Sequence, residues 1–412
     1  MINFEKYSLS NGLKVILHQD LTTPMVVVNV MYDVGARDEN PERTGFAHLF
    51  EHLMFGGSVN VPEYDRIVQK AGGENNAFTN NDITNYYVSL PSVNLEAGLW
   101  IESDRMLELA FSEKSLEVQR NVVVEEFNQR YLNQPYGDVM LHLRPLAYCV
   151  HPYRWNTIGE KPEHIRNAVL EDVKEFFFAH YAPNNAILVV AGNFEPKGTR
   201  KLIEKWFGTL PARPTAARKL PIEPLQTEPR IINLERDVPQ NALYRAYHMV
   251  KRLHRDYYAT DLISDILSNG RSSWFFERLI KDYKLFSEID AYIMGSIDPG
   301  LFLISGKPLP GKTYNECEAA IDEQLQMIIS GSFTDRELEK VKNRCIAARK
   351  LEWAGVLNKA IDLAYFELLG NAAMINAEEE NYRSVTRKQV MEVAAALFSK
   401  QNCSTLYYNK TH

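Results

Sequence analysis

Residues 44–57 read Thr44-Gly-Phe-Ala-His-Leu-Phe-Glu-His-Leu-Met-Phe-Gly-Gly57, and the two imidazoles around a carboxylate set the question for the rest of the chain. The stretch from Gly45 to Phe55 is rich in helix formers, lacks proline and stops at Gly56-Gly57, as a helix C-terminus does. On a helix, residues four apart lie one turn above each other, so His48 and His52 share a face and can offer two nitrogens to one ion. Zinc takes nitrogen, sulfur and carboxylate oxygen in a tetrahedron, and a hydrolytic site uses three protein ligands and leaves one position open. Two histidines are one ligand short. The order His-x-x-Glu-His inverts the better-known His-Glu-x-x-His signature, but the requirement is the same, and Glu51 is the candidate general base of a zinc hydrolase.

A third ligand has to come from elsewhere. Residues 112–130 read as a long helix with Ser112 as its N-cap and acids in the first turns, where they suit the helix dipole. Glu125 and Glu126 both lie in its second half. Glu126 falls one turn beyond Val122 and Val123, which predicts a place near an apolar side, where an acid needs a partner such as a metal.

With these segments in view the chain resembles the pitrilysin-type zinc peptidases, whose relatives include mitochondrial processing peptidase and insulin-degrading enzyme. Arg120-Asn-Val-Val-Val-Glu-Glu126 fits the family's Arg-x-Val-x-x-x-Glu, which implies Glu126 as the third ligand beside His48 and His52, with one zinc per chain. Many relatives carry a second acid seven residues before that glutamate; here the position is Gln119. Other stretches match over the first half: Asn11–Val15 the opening strand, Tyr32–Arg37 the strand leading into the zinc helix, and Tyr181–Gly192 the strand that ends the half. Gly72–Thr79, followed by Tyr86-Tyr87, resembles the edge strand on which relatives lay out a peptide, and Asn76, Ala77 and Phe78 are the substrate-binding residues this implies. The resemblance implies a metalloendopeptidase acting on unfolded peptides or oligopeptides, with Glu51 taking a proton from water and passing it to the leaving amine. The alternative is a non-catalytic assembly or peptide-binding subunit of a larger complex.

At 412 residues the chain suits two domains of ordinary globular composition, 45% apolar and 24% charged. A net charge of -7 disfavours nucleic acid as a partner. No apolar run approaches the length of a membrane span, and no basic segment followed by an apolar core opens the sequence. The four scattered cysteines, Cys149, Cys317, Cys345 and Cys403, suit reduced thiols in a cytoplasmic protein.

Five prolines, at 211, 214, 221, 224 and 229, mark an extended connector. The expected organisation is a zinc-bearing domain over 1–210, a linker over 211–230 and a homologous domain without zinc over 231–412. The halves read as a weak repeat: Met25–Tyr32 corresponds to Gln240–Val250, and the zinc helix to Ala259–Gly270, where Asp and Ser stand among Leu and Ile. The expected fold class is α+β, two similar sandwich-like units, each a sheet backed by helices, in a clamshell arrangement with a partner chain.

In relatives the second half supplies an arginine and, seven residues on, a tyrosine that reach the substrate. Aligned on that region, Ile280 and Ser287 stand at those positions here, with Arg278 and Tyr283 out of phase. A hydroxyl that stabilises the oxyanion lowers the barrier by several kcal/mol, of the order of 3. Its absence predicts a heterodimer with a homologous chain that carries the pair, in preference to a homodimer.

Overall fold

The computed structural model describes residues 1–215 and 218–411. Residues 216 and 217 of the expected 211–230 linker lie outside the described residues. The remainder of that segment has no regular secondary structure before a strand opens at Arg230, as its prolines require.

Among the described residues eleven strands form two sheets: β1 (Glu5–Ser8), β2 (Lys14–Gln19), β3 (Met25–Tyr32), β4 (Glu74–Thr79), β5 (Thr84–Pro91), β6 (Ala186–Gly192), β7 (Arg230–Arg236), β8 (Ala242–His248), β9 (Phe286–Met294), β10 (Leu301–Pro308) and β11 (Cys403–Lys410). The first sheet has the order β1-β2-β6-β3-β5-β4 and the second β7-β11-β8-β10-β9. The two correspond strand for strand. β2 runs parallel to β6 as β7 does to β11, and the remaining pairs, β6-β3-β5-β4 and β11-β8-β10-β9, are antiparallel. The internal repeat read from the sequence is thus a repeat of topology, with β1 as an addition to the first sheet.

Met25–Tyr32 is a strand with the bounds its apolar run predicts, and all its residues but the first are buried. β6 is buried throughout, so both strands are covered on two faces, which is why they read as continuous apolar runs and not as alternating ones. Tyr32–Arg37 departs from expectation: β3 ends at Tyr32, and a turn of 3-10 helix covers Ala36–Asp38.

What covers the sheets is less collinear than the sequence implied. One compact unit comprises residues 1–128, 155–221 and 350–377, and the other 129–154, 222–349 and 378–412. The helix Val356–Leu368, from the second half of the chain, packs on β6 and β3 of the first sheet. Its Ala360, Leu363, Ala364 and Phe366 are buried among Ile16, Val27, Met31, Ile187 and Val189. The helix Val139–Ala147, from the first half, packs on β11 and β8. Its Val139, Leu143 and Ala147 lie among Ala242, Ala246, Leu303, Leu406 and Tyr408. The two helices occupy matching places in their halves, each the third long helix after the hairpin β4-β5 or β9-β10, so the exchange is reciprocal. The division into 1–210 and 231–412 therefore describes the chain, while the compact units each draw on both halves. Periodicity tells that a helix has an apolar face and not which sheet receives it.

Candidate metal centre

The helix of the opening motif runs Phe46–Leu53, eight residues, shorter at its C-terminal end than Gly56-Gly57 suggested. A helix this short is marginal by itself and depends on its surroundings. Gly45, its N-cap, has φ +92°, and a Cβ there would meet the Ile158 carbonyl oxygen at 2.6 Å, so glycine is required twice over. Phe46, Ala47, Leu49, Phe50 and Leu53 are buried, and Phe50 stacks on Phe176 and Tyr181.

The other side presents the imidazoles. His48 and His52 have ring centroids 4.8 Å apart and nearly perpendicular planes. The long helix runs Glu113–Phe127 with the Ser112 hydroxyl accepting from the Ser115 amide, as the N-cap reading predicts. It delivers Glu126, whose Oε2 lies 3.6 Å from His48 Nε2 and 3.4 Å from His52 Nε2. Two bonds of about 2.1 Å at the tetrahedral angle would separate their donors by about 3.4 Å. The ligand atoms of the three residues all lie within 4.8 Å of one another, and among the described residues this is the one such group of His, Cys, Asp or Glu. The donor set, two imidazoles and a carboxylate, fits a zinc ion with an open fourth position.

Glu126 is half-buried, at the border of the apolar side its spacing predicts: Val123, three residues before it, is buried with Leu116, Val124 and Phe127, whereas Val122, four before it, is 44% exposed. Glu125 is exposed and bonded to by Asn128. Glu51 lies against the end of β4; burial pushes its carboxyl up from the ordinary range, opposed by Thr79 and His52. Asn76, Ala77 and Phe78 sit on β4, the edge strand of the first sheet, where Asn76 Oδ1 accepts from the Ala77 amide.

The matching region of the second unit offers no such chemistry. In the helix Tyr257–Ser268, Asp261 accepts from Tyr382 Oη at 2.6 Å, and Asp265 pairs with Arg344 at 3.0 Å. Ile280 packs against the core, and Ser287 bonds the Lys307 carbonyl and accepts from Gln240. Arg278 lies over Trp274 and donates to Gln324, and the Tyr283 ring is 44% exposed with its hydroxyl 3.4 Å from Glu323.

One residue near the motif gave no signal in the sequence. Glu39, buried, accepts from the amides of Gly45 and Ala47, each at 2.8 Å, and so closes two of the open N–H groups at the start of the zinc-motif helix. Burial pushes its carboxyl up to about 8, with these two bonds opposing.

The insulinase description, peptidase family M16, matches residues 14–147, and the peptidase M16 inactive domain matches residues 167–345. The zinc protease PqqE of Helicobacter pylori is 32% identical over 347 residues, 82% of this chain and 77% of that protein. The chain belongs to peptidase family M16. A crystal structure of a protease from Helicobacter pylori has the same fold over 99% of this M16 chain and 100% of its own, with a TM-score of 0.93 at 28% identity. A probable mitochondrial-processing peptidase subunit beta of Schizosaccharomyces pombe is 25% identical over 412 residues, 95% of this chain and 88% of that one.

Proposed function

We propose that this M16 chain is the zinc-bearing subunit of a metalloendopeptidase that hydrolyses unfolded peptides or oligopeptides. The observation that carries the reading is the meeting of His48, His52 and Glu126 from two helices, with Glu51 beside them. Zinc held there would lower the pKa of water and polarise the scissile carbonyl. Glu51 takes the proton of the attacking water and gives it to the leaving amine, and its half-buried carboxyl, raised by burial, suits a group that must both accept and return a proton. A peptide added along β4 at Asn76, Ala77 and Phe78 gains main-chain hydrogen bonds that ignore sequence, which suits extended substrates.

The partner is a homologous chain supplying an arginine and a tyrosine. Ile280 in the core and Ser287 held by Lys307 and Gln240 support this, because neither can be replaced by the internally engaged Arg278. The name of one relative, a processing-peptidase subunit, fits a two-chain enzyme. The cytoplasm is the proposed place of work, which the free thiols support.

Metal analysis and a peptide-library assay, with the chain alone and with its homologue, test the reading together. The expected result is one zinc per chain and cleavage that rises on adding the homologue. In Glu51→Gln, cleavage disappears while zinc stays; turnover in that variant refutes the assigned base. A chain with zinc and no cleavage in either setting would favour the assembly-subunit alternative.

A further inference from the structure

The segment between β3 and the zinc-motif helix is bonded at both ends. At one end it holds the tip of the β4-β5 hairpin: the Ala36 amide donates to the Asn80 carbonyl at 3.1 Å and the Arg37 amide to the Asn81 carbonyl at 2.9 Å. The Arg37 guanidinium, itself buried, pairs with the buried Asp82 at 3.0 Å. Gly35 allows this approach, since a Cβ there would stand 2.6 Å from Asn81 backbone atoms. Trp155 Nε1 donates to the Ala36 carbonyl at 2.9 Å, and Arg218 bonds Asp33 and Asp38 from outside.

At the other end stands Glu39, whose two oxygens take the amides of Gly45 and Ala47 at the first turn of the helix. The next contact outward is also fixed: Thr44 Oγ1 lies 2.8 Å from His164 Nδ1 and accepts from the Glu160 amide at 2.7 Å. The 3-10 turn Ala36–Asp38 thus runs from the hairpin tip to a clasp on an eight-residue helix that carries both histidines and the proposed base. A shift of the helix along its axis would move His48, Glu51 and His52 together relative to Glu126 and β4.

We propose that Glu39 is a positioning residue, which through the amides of Gly45 and Ala47 sets the His48–His52 turn at a fixed place relative to Glu126 and to the peptide-binding strand β4. The proposal rests on the metallopeptidase reading for the meaning of that place, though not for its measurement. Both carboxyl oxygens of Glu39 can accept whether or not the group carries a proton, whereas the amide nitrogen of glutamine cannot. Glu39→Gln therefore keeps one clasp and loses the other, and Glu39→Leu loses both.

The test uses the full chain in three forms: native, Glu39→Gln and Glu39→Leu. Zinc affinity by chelator competition, the visible absorption of the cobalt-substituted protein, and kcat and KM on a peptide are measured at a temperature where each variant is folded by circular dichroism. Misplacing a metal ligand through its support costs roughly 10–100-fold in affinity or activity. We expect Glu39→Leu to weaken zinc binding by about that factor and Glu39→Gln by less, with a changed cobalt spectrum and kcat falling while KM stays within about twofold. Native zinc affinity and cobalt spectrum in folded Glu39→Gln and Glu39→Leu would overturn the proposal and leave Glu39 a helix cap alone. If Glu39→Leu does not fold, Glu39→Gln with native metal binding and kcat overturns it equally. Altered metal binding in a chain whose native form cleaves no peptide would leave the positioning role standing and the peptidase reading fallen.

Discussion

Glu126 completes the proposed metal site from a second helix, within 3.6 Å of both imidazoles, so removing its charge should cost metal before it costs fold. Glu126→Gln is expected to bind zinc at least about tenfold more weakly, read by chelator competition, with the unfolding midpoint of the metal-free protein unchanged. Gly45→Ala acts the other way. Its φ of +92° and the Ile158 carbonyl oxygen, which the added methyl would approach to 2.6 Å, predict a loss of about 1–3 kcal/mol in urea unfolding of the metal-free protein. The two histidines and Glu51 were legible because a single helical turn fixes their geometry from spacing alone. Glu126 was legible as a candidate ligand chiefly through the family pattern: of the two valines one turn before it, Val123 is buried and Val122 exposed, so proximity to an apolar side was only half a warrant. Glu39 was invisible, because two of its bonds come from main-chain amides, which no side-chain pattern marks.

At the scale of elements, the N-cap at Ser112, the strand at Met25–Tyr32 and the connector prolines followed from local rules, and local rules end where packing chooses partners. The exchanged helix Val139–Ala147 illustrates the limit and gives a prediction. Asp138 at its start accepts from Tyr408 Oη on β11 at 2.6 Å and from Arg236 Nε on β7 at 3.0 Å, with His142 Nε2 at 3.2 Å. Burial alone would raise its carboxyl, but the hydrogen bonds from His142, Tyr408 and Arg236 bring it down to about 2. A carboxyl lower in the folded than in the unfolded chain stabilises the fold above its ordinary value near 4, and that contribution fades as pH falls towards about 2. Asp138→Asn should therefore cost about 1–3 kcal/mol at pH 7, from urea midpoints, with the gap to the native chain narrowing as pH drops below about 4. A gap that widens on acidification would contradict the assignment.

For the whole molecule, the reciprocal exchange means that neither half of the chain contains a complete unit. Residues 1–221 hold the whole first sheet, yet lack the 350–377 segment whose Ala360, Leu363, Ala364 and Phe366 cover Ile16, Val27, Met31, Ile187 and Val189. They also carry the helix Val139–Ala147, whose apolar face belongs with strands they do not possess. Exposed apolar surface on this scale drives association, so residues 1–221 expressed alone should be insoluble or bind a hydrophobic dye, although His48, His52 and Glu126, the proposed zinc ligands, are all present. Co-expression with residues 222–412 returns both missing surfaces at once and should yield a soluble complex with native zinc content. The result separates two pictures of the repeat. In a tandem of independent domains, 1–221 would fold and bind zinc alone; in an exchanged pair, the metal site depends on a helix that the ribosome adds more than two hundred residues after the last ligand, and zinc binding appears only when both halves are present.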